Sequence, residues 1–208
     1  MEQPVKRGVR AEHAALTRTR IVEAGRAEFE VRGFAGARIT AIATRAGVAV
    51  PTVYKAFTNK RNLLASAVDR AMTGADYGSR VDDQAWWQEQ LDEPDPERQL
   101  ALIARNARRI YERAGRILEV LRAAAVLDPE IARVWKQVTE DRAARSRKTA
   151  RKLVTRAAGR ARFGTAETTV TLLALSAPEL YTSQLDAGRT PAQYERWLEA
   201  VLSGSLLR

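Results

Sequence analysis

The chain has 208 residues and a mass of 23.1 kDa, enough for one large domain or two small ones with a core buried unaided. A composition of 45% hydrophobic and 29% charged residues excludes a wholly disordered chain, and zero cysteines exclude disulfides, thiolate metal sites and cysteine nucleophiles. Thirty-five Lys and Arg against 25 Asp and Glu give a net charge of +10, which suits a polyanionic partner, either nucleic acid or a membrane surface.

The N-terminal segment MEQPVKRGVR has no apolar h-region, and no signal peptide is expected. Residues 1–62 carry 12 Lys and Arg but 5 Asp and Glu, so most of the excess charge sits in under a third of the chain. A first helix is predicted from about Leu16 to Arg32, with Ile21, Ala24, Ala27, Glu28 and Phe29 on one side and Gly33 as its break. A second helix turns Ile42, Ala43 and Ala46 inward and ends at Gly47. Thr40 is placed as its cap, with a cap one or two residues earlier as the other register. A third short helix buries Val53 and Phe57 and tolerates Pro51 in its first turn. Two short helices joined through a Gly turn make a helix-turn-helix, whose second member can lie in the major groove.

From Asp82 to Glu97 the chain turns acidic and contains Pro94 and Pro96, which reads as a loop between elements. The two tryptophans inside it, Trp86 and Trp87, cannot both face inward on a helix. Beyond it, apolar residues recur at helical spacing: Leu100 to Ile110, then Ile117 to Ala124 after a stop at Gly115. Asp128 and Pro129 open a further helix running to about Arg162. Two more are expected over Thr165–Ala187 and Pro191–Leu206. No alternating β pattern competes, so the fold class is all-α. The longest stretch without a charged residue, Thr168–Pro178, is too short to span a bilayer as a helix. Absence of cysteine fits a cytoplasmic protein.

The run ITAIATRAGVAVPTVYKAFTNKRNLL resembles the DNA-binding signature of the TetR (tetracycline repressor) family of transcriptional regulators. Thr40, Ile42, Ala43, Ala46, Gly47, Val48, Thr52, Tyr54, Phe57 and Lys60 stand at the family's spacing, and the preceding RIVEAGRAEFEVRGFAG resembles its first helix. The resemblance implies that Ala49, Val50, Pro51, Thr52 and Lys55 face the groove while Thr40, Tyr54 and Lys60 touch phosphates. Such a division is physically sound. Hydroxyls and cations fix register on the backbone, whereas Val50 and Pro51 suit a thymine methyl and Lys55 can donate to guanine. Arg18, with Lys6, Arg7, Arg10 and Arg20, belongs to a basic arm that either grips DNA or is disordered. Two positions depart from the family. Ala49 stands where Ser is common, at a capping cost of roughly 1 kcal/mol. Arg61 stands where Glu is common, and a phosphate contact is its expected compensation.

The chain therefore divides into residues 1–62, a helix-turn-helix domain with a basic arm, and residues 63–208, which the resemblance implies form a helical ligand-binding and dimerisation domain. Tyr111, Trp135 and Tyr181 fall on helices that line a small-molecule pocket in the family, with core packing as the alternative use of each ring. Glu179 in an apolar run is either a ligand partner, an intersubunit contact or a surface charge at a helix C-terminus. From Arg142 to Arg162 there are nine Lys and Arg and no acid, with Arg145, Lys148, Lys152 and Arg156 on one face. That face is either a solvated surface balanced by acids elsewhere or a second nucleic-acid surface. No nucleophile–base pair, Gly-rich phosphate loop or metal-ligand cluster appears, and His13 is the one histidine, so neither enzyme nor cofactor is expected. The combined expectation is a homodimer on a palindromic double-stranded operator, released by a small-molecule effector. An activator or architectural protein without a ligand is the alternative.

Overall fold

The computed structural model describes residues 4–74 and 80–208, with side chains from residue 12 onward in the first helix. Ten α-helices and one 3-10 turn make up these residues: α1 Pro4–Gly36, α2 Ile39–Ala46, α3 Val50–Phe57, α4 Lys60–Thr73, the 3-10 turn Val81–Asp83, α5 Ala85–Asp92, α6 Pro96–Ala125, α7 Pro129–Arg156, α8 Thr165–Leu175, α9 Pro178–Asp186 and α10 Pro191–Leu206. Among them there is no strand, only one isolated antiparallel bridge between Ala161 and Leu207. The all-α expectation holds.

Where helices begin and end follows local chemistry. Gly33 lies inside α1 at φ 65° and ψ 175°, a conformation an L side chain resists, and the helix kinks there as expected. The helix itself begins well before Leu16. Gly47, at φ 65°, closes α2: its N–H donates to Thr44 O while Val48 N–H reaches Ala43 O. This is the Schellman arrangement, and it sets the helix-turn-helix corner. Asp95 and Asp128 accept backbone N–H groups at the starts of α6 and α7, each followed by Pro in the first turn. Thr190 and Gln193 form a reciprocal capping box on α10.

Four expected boundaries change. The acidic stretch is a loop only in part, because α5 forms within it and buries Trp87 while Trp86 stays half-buried. Gly115 does not stop a helix; it lies mid-way along the 30-residue α6. A Cβ there would lie 3.3 Å from Thr182 Cγ2, so its absence lets α9 pack close. The single helix expected over Thr165–Ala187 is two, because Pro178 cannot donate to α8 and instead starts α9. Finally, α7 stops at Arg156, with Ala158 at φ 46° and Gly159 at φ 85° turning the chain.

One helix organises the rest. The long α6 packs on α1 and α4 toward one end of the sequence and on α7, α9 and α10 toward the other. A single apolar core runs from Ile21, Phe29, Ile42 and Leu63 through Leu100 and Ile117 to Leu153, Leu198 and Leu202. No helix among the described residues is long and apolar enough to cross a membrane.

Candidate nucleic-acid interface and regulatory cavity

The hydrophobic side of α3, Val53 and Phe57, is buried, which fixes what the other side shows. Ala49, Pro51, Tyr54 and Lys55 are exposed, and Val50 and Thr52 are half-buried at the helix start. Pro51, Tyr54 and Lys55 share one face by their i, i+3 and i+4 spacing. Tyr54 is 50% exposed, so its ring is available rather than packed. Ala49 is the N-cap and no side chain caps the helix, as its methyl dictates.

The flanking positions behave differently from expectation. Thr40 is not the cap of α2, and the earlier register holds: Ile42 N–H donates to Arg38 O, which makes Arg38, two residues earlier, the cap and leaves Thr40 exposed in the first turn. Lys60 Nζ donates to Ala37 O at 3.1 Å and Ala35 O at 3.4 Å, above the Phe34 ring, and partial burial lowers its pKa. Its ammonium therefore closes the end of α1. Arg18 Nη1 donates to Ala56 O at 2.5 Å, with its guanidinium 4.0 Å above the Phe57 ring. Among the arm cations, Arg18 holds the recognition helix to α1 from behind. The side chains of Lys6, Arg7 and Arg10 lie outside the described residues. Arg61 pairs with Asp128 at 2.7 Å, not with a position facing outward beside α3.

A helix-turn-helix with a buried Val53–Phe57 side and an exposed Ala49–Lys55 side can be compared with known families. Residues 21–67 match the profile of the bacterial regulatory proteins, tetR family. The chain carries the TetR-family DNA-binding domain. Solved structures extend the likeness in fold to nearly the whole chain. A candidate TetR-family regulator from Mesorhizobium loti MAFF303099 is 23% identical with a TM-score of 0.69, covering 94% of this chain and 98% of that one. A candidate regulator from Saccharomonospora viridis in complex with choline is 18% identical with a TM-score of 0.70, covering 92% and 97%. The regulator FadR from Bacillus subtilis in complex with stearoyl-CoA is 13% identical with a TM-score of 0.71, covering 90% and 98%. No curated protein sequence matches the chain.

Between α5, α6, α7 and α8 lies a cavity of about 100 Å³. Trp86, Trp87, Ile103, Ala107 and Leu172 form its apolar wall, and α7 brings Arg142, Arg145, Ser146 and Thr149 along another. Of the four expected ligand residues, only Tyr111 lines it. The Tyr111 hydroxyl donates to Ser176 O at 2.6 Å, and burial raises its pKa. Tyr181 is buried in an aromatic cluster, edge-on to Tyr194 at 4.9 Å and tilted to Tyr111 at 5.9 Å, and lines a separate charged cleft. Trp135 and Glu179 border a third, small gap. Glu179 stands in the first turn of α9, not at a helix C-terminus, and faces Arg122 at 3.8 Å. Sequence reading missed the cavity's polar residues. Their signal was the 142, 145, 146, 149 spacing on one helix.

The basic stretch of α7 also finds its role. Lys148 faces Asp82 at 3.8 Å, Lys152 pairs with Asp92 at 2.6 Å, and Arg156 donates to Leu91 O and Glu93 O. Arg160 binds Glu97 at 2.6 Å. These cations hold the acidic connector against α7. The face is the solvated surface balanced by acids that was one of the two expectations, with connector carboxylates and carbonyls as the balance.

Proposed function

We propose that this regulator is a repressor that binds a palindromic operator as a homodimer and is released by a small ligand, with residues 1–62 as the DNA-binding domain and 63–208 as the regulatory domain. One observation carries the reading. The helix α4 packs on α1 of the DNA-binding unit and on α6, which lines the cavity. Anything that shifts α6 therefore acts on the support of α3. Arg113 strengthens the joint, donating from α6 to Ala71 O and Met72 O at the end of α4. For release, the ligand must bind better to a conformation whose recognition helices are wrongly spaced for successive grooves.

Support for the dimer comes from apolar side chains left outside the core. Phe163 is 45% and Val170 65% exposed, before and on α8, which packs against α10. One recognition helix reads few base pairs, and two-fold symmetry doubles the site. Small-molecule complexes of proteins with the same fold, with choline and with stearoyl-CoA, support a ligand-binding role for the cavity.

The test is selection of DNA sites from a random pool, followed by anisotropy titration of the selected duplex with and without cavity ligands. The expected result is an inverted repeat bound by two chains, with affinity falling at least about tenfold when ligand saturates, a coupling near 1.4 kcal/mol. A single asymmetric half-site bound by one chain would remove the dimer. Operator affinity unmoved by a saturating cavity ligand would leave the ligand-free activator or architectural protein.

A further inference from the structure

Three donors on one face of α7 have no acceptor. Arg145, Ser146 and Thr149 all line the cavity between α5, α6, α7 and α8, and none makes a hydrogen bond or ion pair among the described residues. Thr149 is 3% exposed and lines the cavity. Neighbouring polar side chains already hold one another, apart from Gln99 Oε1, which is buried and accepts no hydrogen bond among the described residues. Asn106 donates to Gln90 Oε1 at 3.1 Å and to Trp86 O at 3.3 Å, and Gln99 donates to Gln90 O at 2.9 Å. Arg142 donates to Leu173 O from beside the Tyr111 hydroxyl, and that hydroxyl is held by Ser176 O.

Among the described residues no carboxylate lines this cavity. Arg145 also borders an adjoining cleft containing Asp69, Asp82 and Asp141, but none of them comes within ion-pair distance of it. Asp82 lies 3.8 Å from both Arg80 and Lys148, although its Oδ1 accepts no hydrogen bond, and Asp141 accepts from Gln137 at 2.9 Å. A partly buried guanidinium without a bonded partner is costly, and the compensation it lacks is a planar oxyanion.

We infer that the cavity is a receptor for a small hydrophobic monocarboxylate, its carboxylate held by Arg145 with the Ser146 and Thr149 hydroxyls and its apolar body against Trp86, Trp87 and Leu172. The charge count selects a monoanion, since Arg145 is the guanidinium without a bond while Arg142 already serves a carbonyl. A cationic ligand would meet two guanidiniums and, among the described residues, no acid on the wall. A neutral ligand would leave Arg145 only the longer-range attraction of Asp82 and Asp141. Burial, with the neighbouring Arg142, pulls Arg145 below the ordinary guanidinium pKa, and the attraction of Asp82 and Asp141 offsets this only in part. This assignment rests on the ligand-binding reading of the same cavity and specifies its chemistry.

The experiment uses the full chain and its tryptophan fluorescence, because Trp86 and Trp87 line the cavity. Benzoate, phenylacetate and hexanoate are each titrated beside the corresponding amide, with phenethylamine as the cation. The acids should bind saturably and at least about tenfold more tightly than the amides or the amine. Arg145→Met should abolish that preference and Arg145→Lys should retain part of it. Without ligand, Arg145→Met should keep or raise the melting temperature, since a desolvated cation is removed. Amides binding as tightly as acids would overturn the assignment. So would acid affinity unchanged in Arg145→Met, no saturable response to any acid at millimolar concentration, or a fall in melting temperature showing that Arg145 is already held by partners. Operator release is scored separately on the same samples. Acids that bind through Arg145 without releasing DNA would defeat the release mechanism and leave the carboxylate site standing. Release by amides or amines alone would do the reverse.

Discussion

Arg61 Nε donates to Asp128 Oδ2 at 2.7 Å, joining the first turn of α4, directly after the recognition helix, to the residue that caps α7. Asp128 Oδ1 meanwhile accepts the backbone N–H groups of Glu130 and Ile131. One carboxylate thus starts a regulatory helix and anchors the DNA-binding unit. Because the pair is exposed, its worth lies in orientation more than in stability.

Asp128→Ala should lower the melting temperature more than Arg61→Ala, since it removes the cap as well as the pair, while Asp128→Asn keeps a capping oxygen and should fall between them. All three should weaken the coupling between ligand and operator, measured as the ratio of operator affinities with and without ligand. An unchanged ratio in Arg61→Ala would remove this contact from the coupling path.

Acid should expose the same contact. The Arg61 hydrogen bond, with backbone N–H groups, holds Asp128 below its ordinary value of 3.8. A carboxylate depressed in the fold contributes stability that is complete above its unfolded pKa and drains as pH falls toward the folded one. Asp92, beside Lys152, and Asp95, bonded to Arg98 N–H, are depressed in the same sense. Melting temperature should therefore fall as pH drops below about 4, and Asp128→Asn should make that limb shallower. Thermal melts across pH 2 to 6 check it.

Lys55 and Lys60 should separate cleanly, although both are lysines near the DNA face. Lys55 is exposed and engages no other residue among those described, so Lys55→Ala should leave the melting temperature in place while reducing operator affinity. Lys60→Ala removes two donors from the end of α1 and should lower both. If Lys60 still reaches a phosphate with its remaining donor, the salt slope should fall by about one unit. Arg18→Met should destabilise by about 1.5–3 kcal/mol, the usual worth of a hydrogen bond to a charged group, by freeing the end of α3. Denaturant melts paired with anisotropy titrations distinguish the three.

Two helical glycines make opposite forecasts. A methyl on Gly25 would stand 3.0 Å from Leu63 Cγ and Cδ2 in a filled core, so Gly25→Ala should cost about 1–3 kcal/mol. At Gly115 the nearest atom is Thr182 Cγ2, at 3.3 Å. Gly115→Ala alone should be near neutral, because helix propensity gains about 1 kcal/mol while the contact tightens. Adding Thr182→Ser should release that gain. Urea melts read both.

The helix-turn-helix was legible because its corners are written in residues with one use: Gly33 and Gly47 supply positive φ, and Pro51 fits a first turn. The α6 boundary was not, since a mid-helix Gly looks like a stop until α9 is seen leaning on it. Pro178 was the opposite case, a local break overridden by the apolar run around it. Thr40 failed as a cap because the register of α2 is set by the Arg38 carbonyl, two residues earlier. Among the residues that line the cavity, Tyr111 was singled out through its helix, but Arg145 was grouped with Lys148, Lys152 and Arg156. Spacing places all four on one side of α7, and only the position of the connector shows that three meet acids or carbonyls while the fourth meets a cavity.

The unbroken α6 has a geometric corollary. The cavity borders α6 as far as Tyr111, and from there to its end at Ala125 the rod is about 21 Å long. Tilting that span by about 5° would carry its end through about 2 Å with no helix unwinding, at the point where the chain leads into Asp128 and its bond to Arg61.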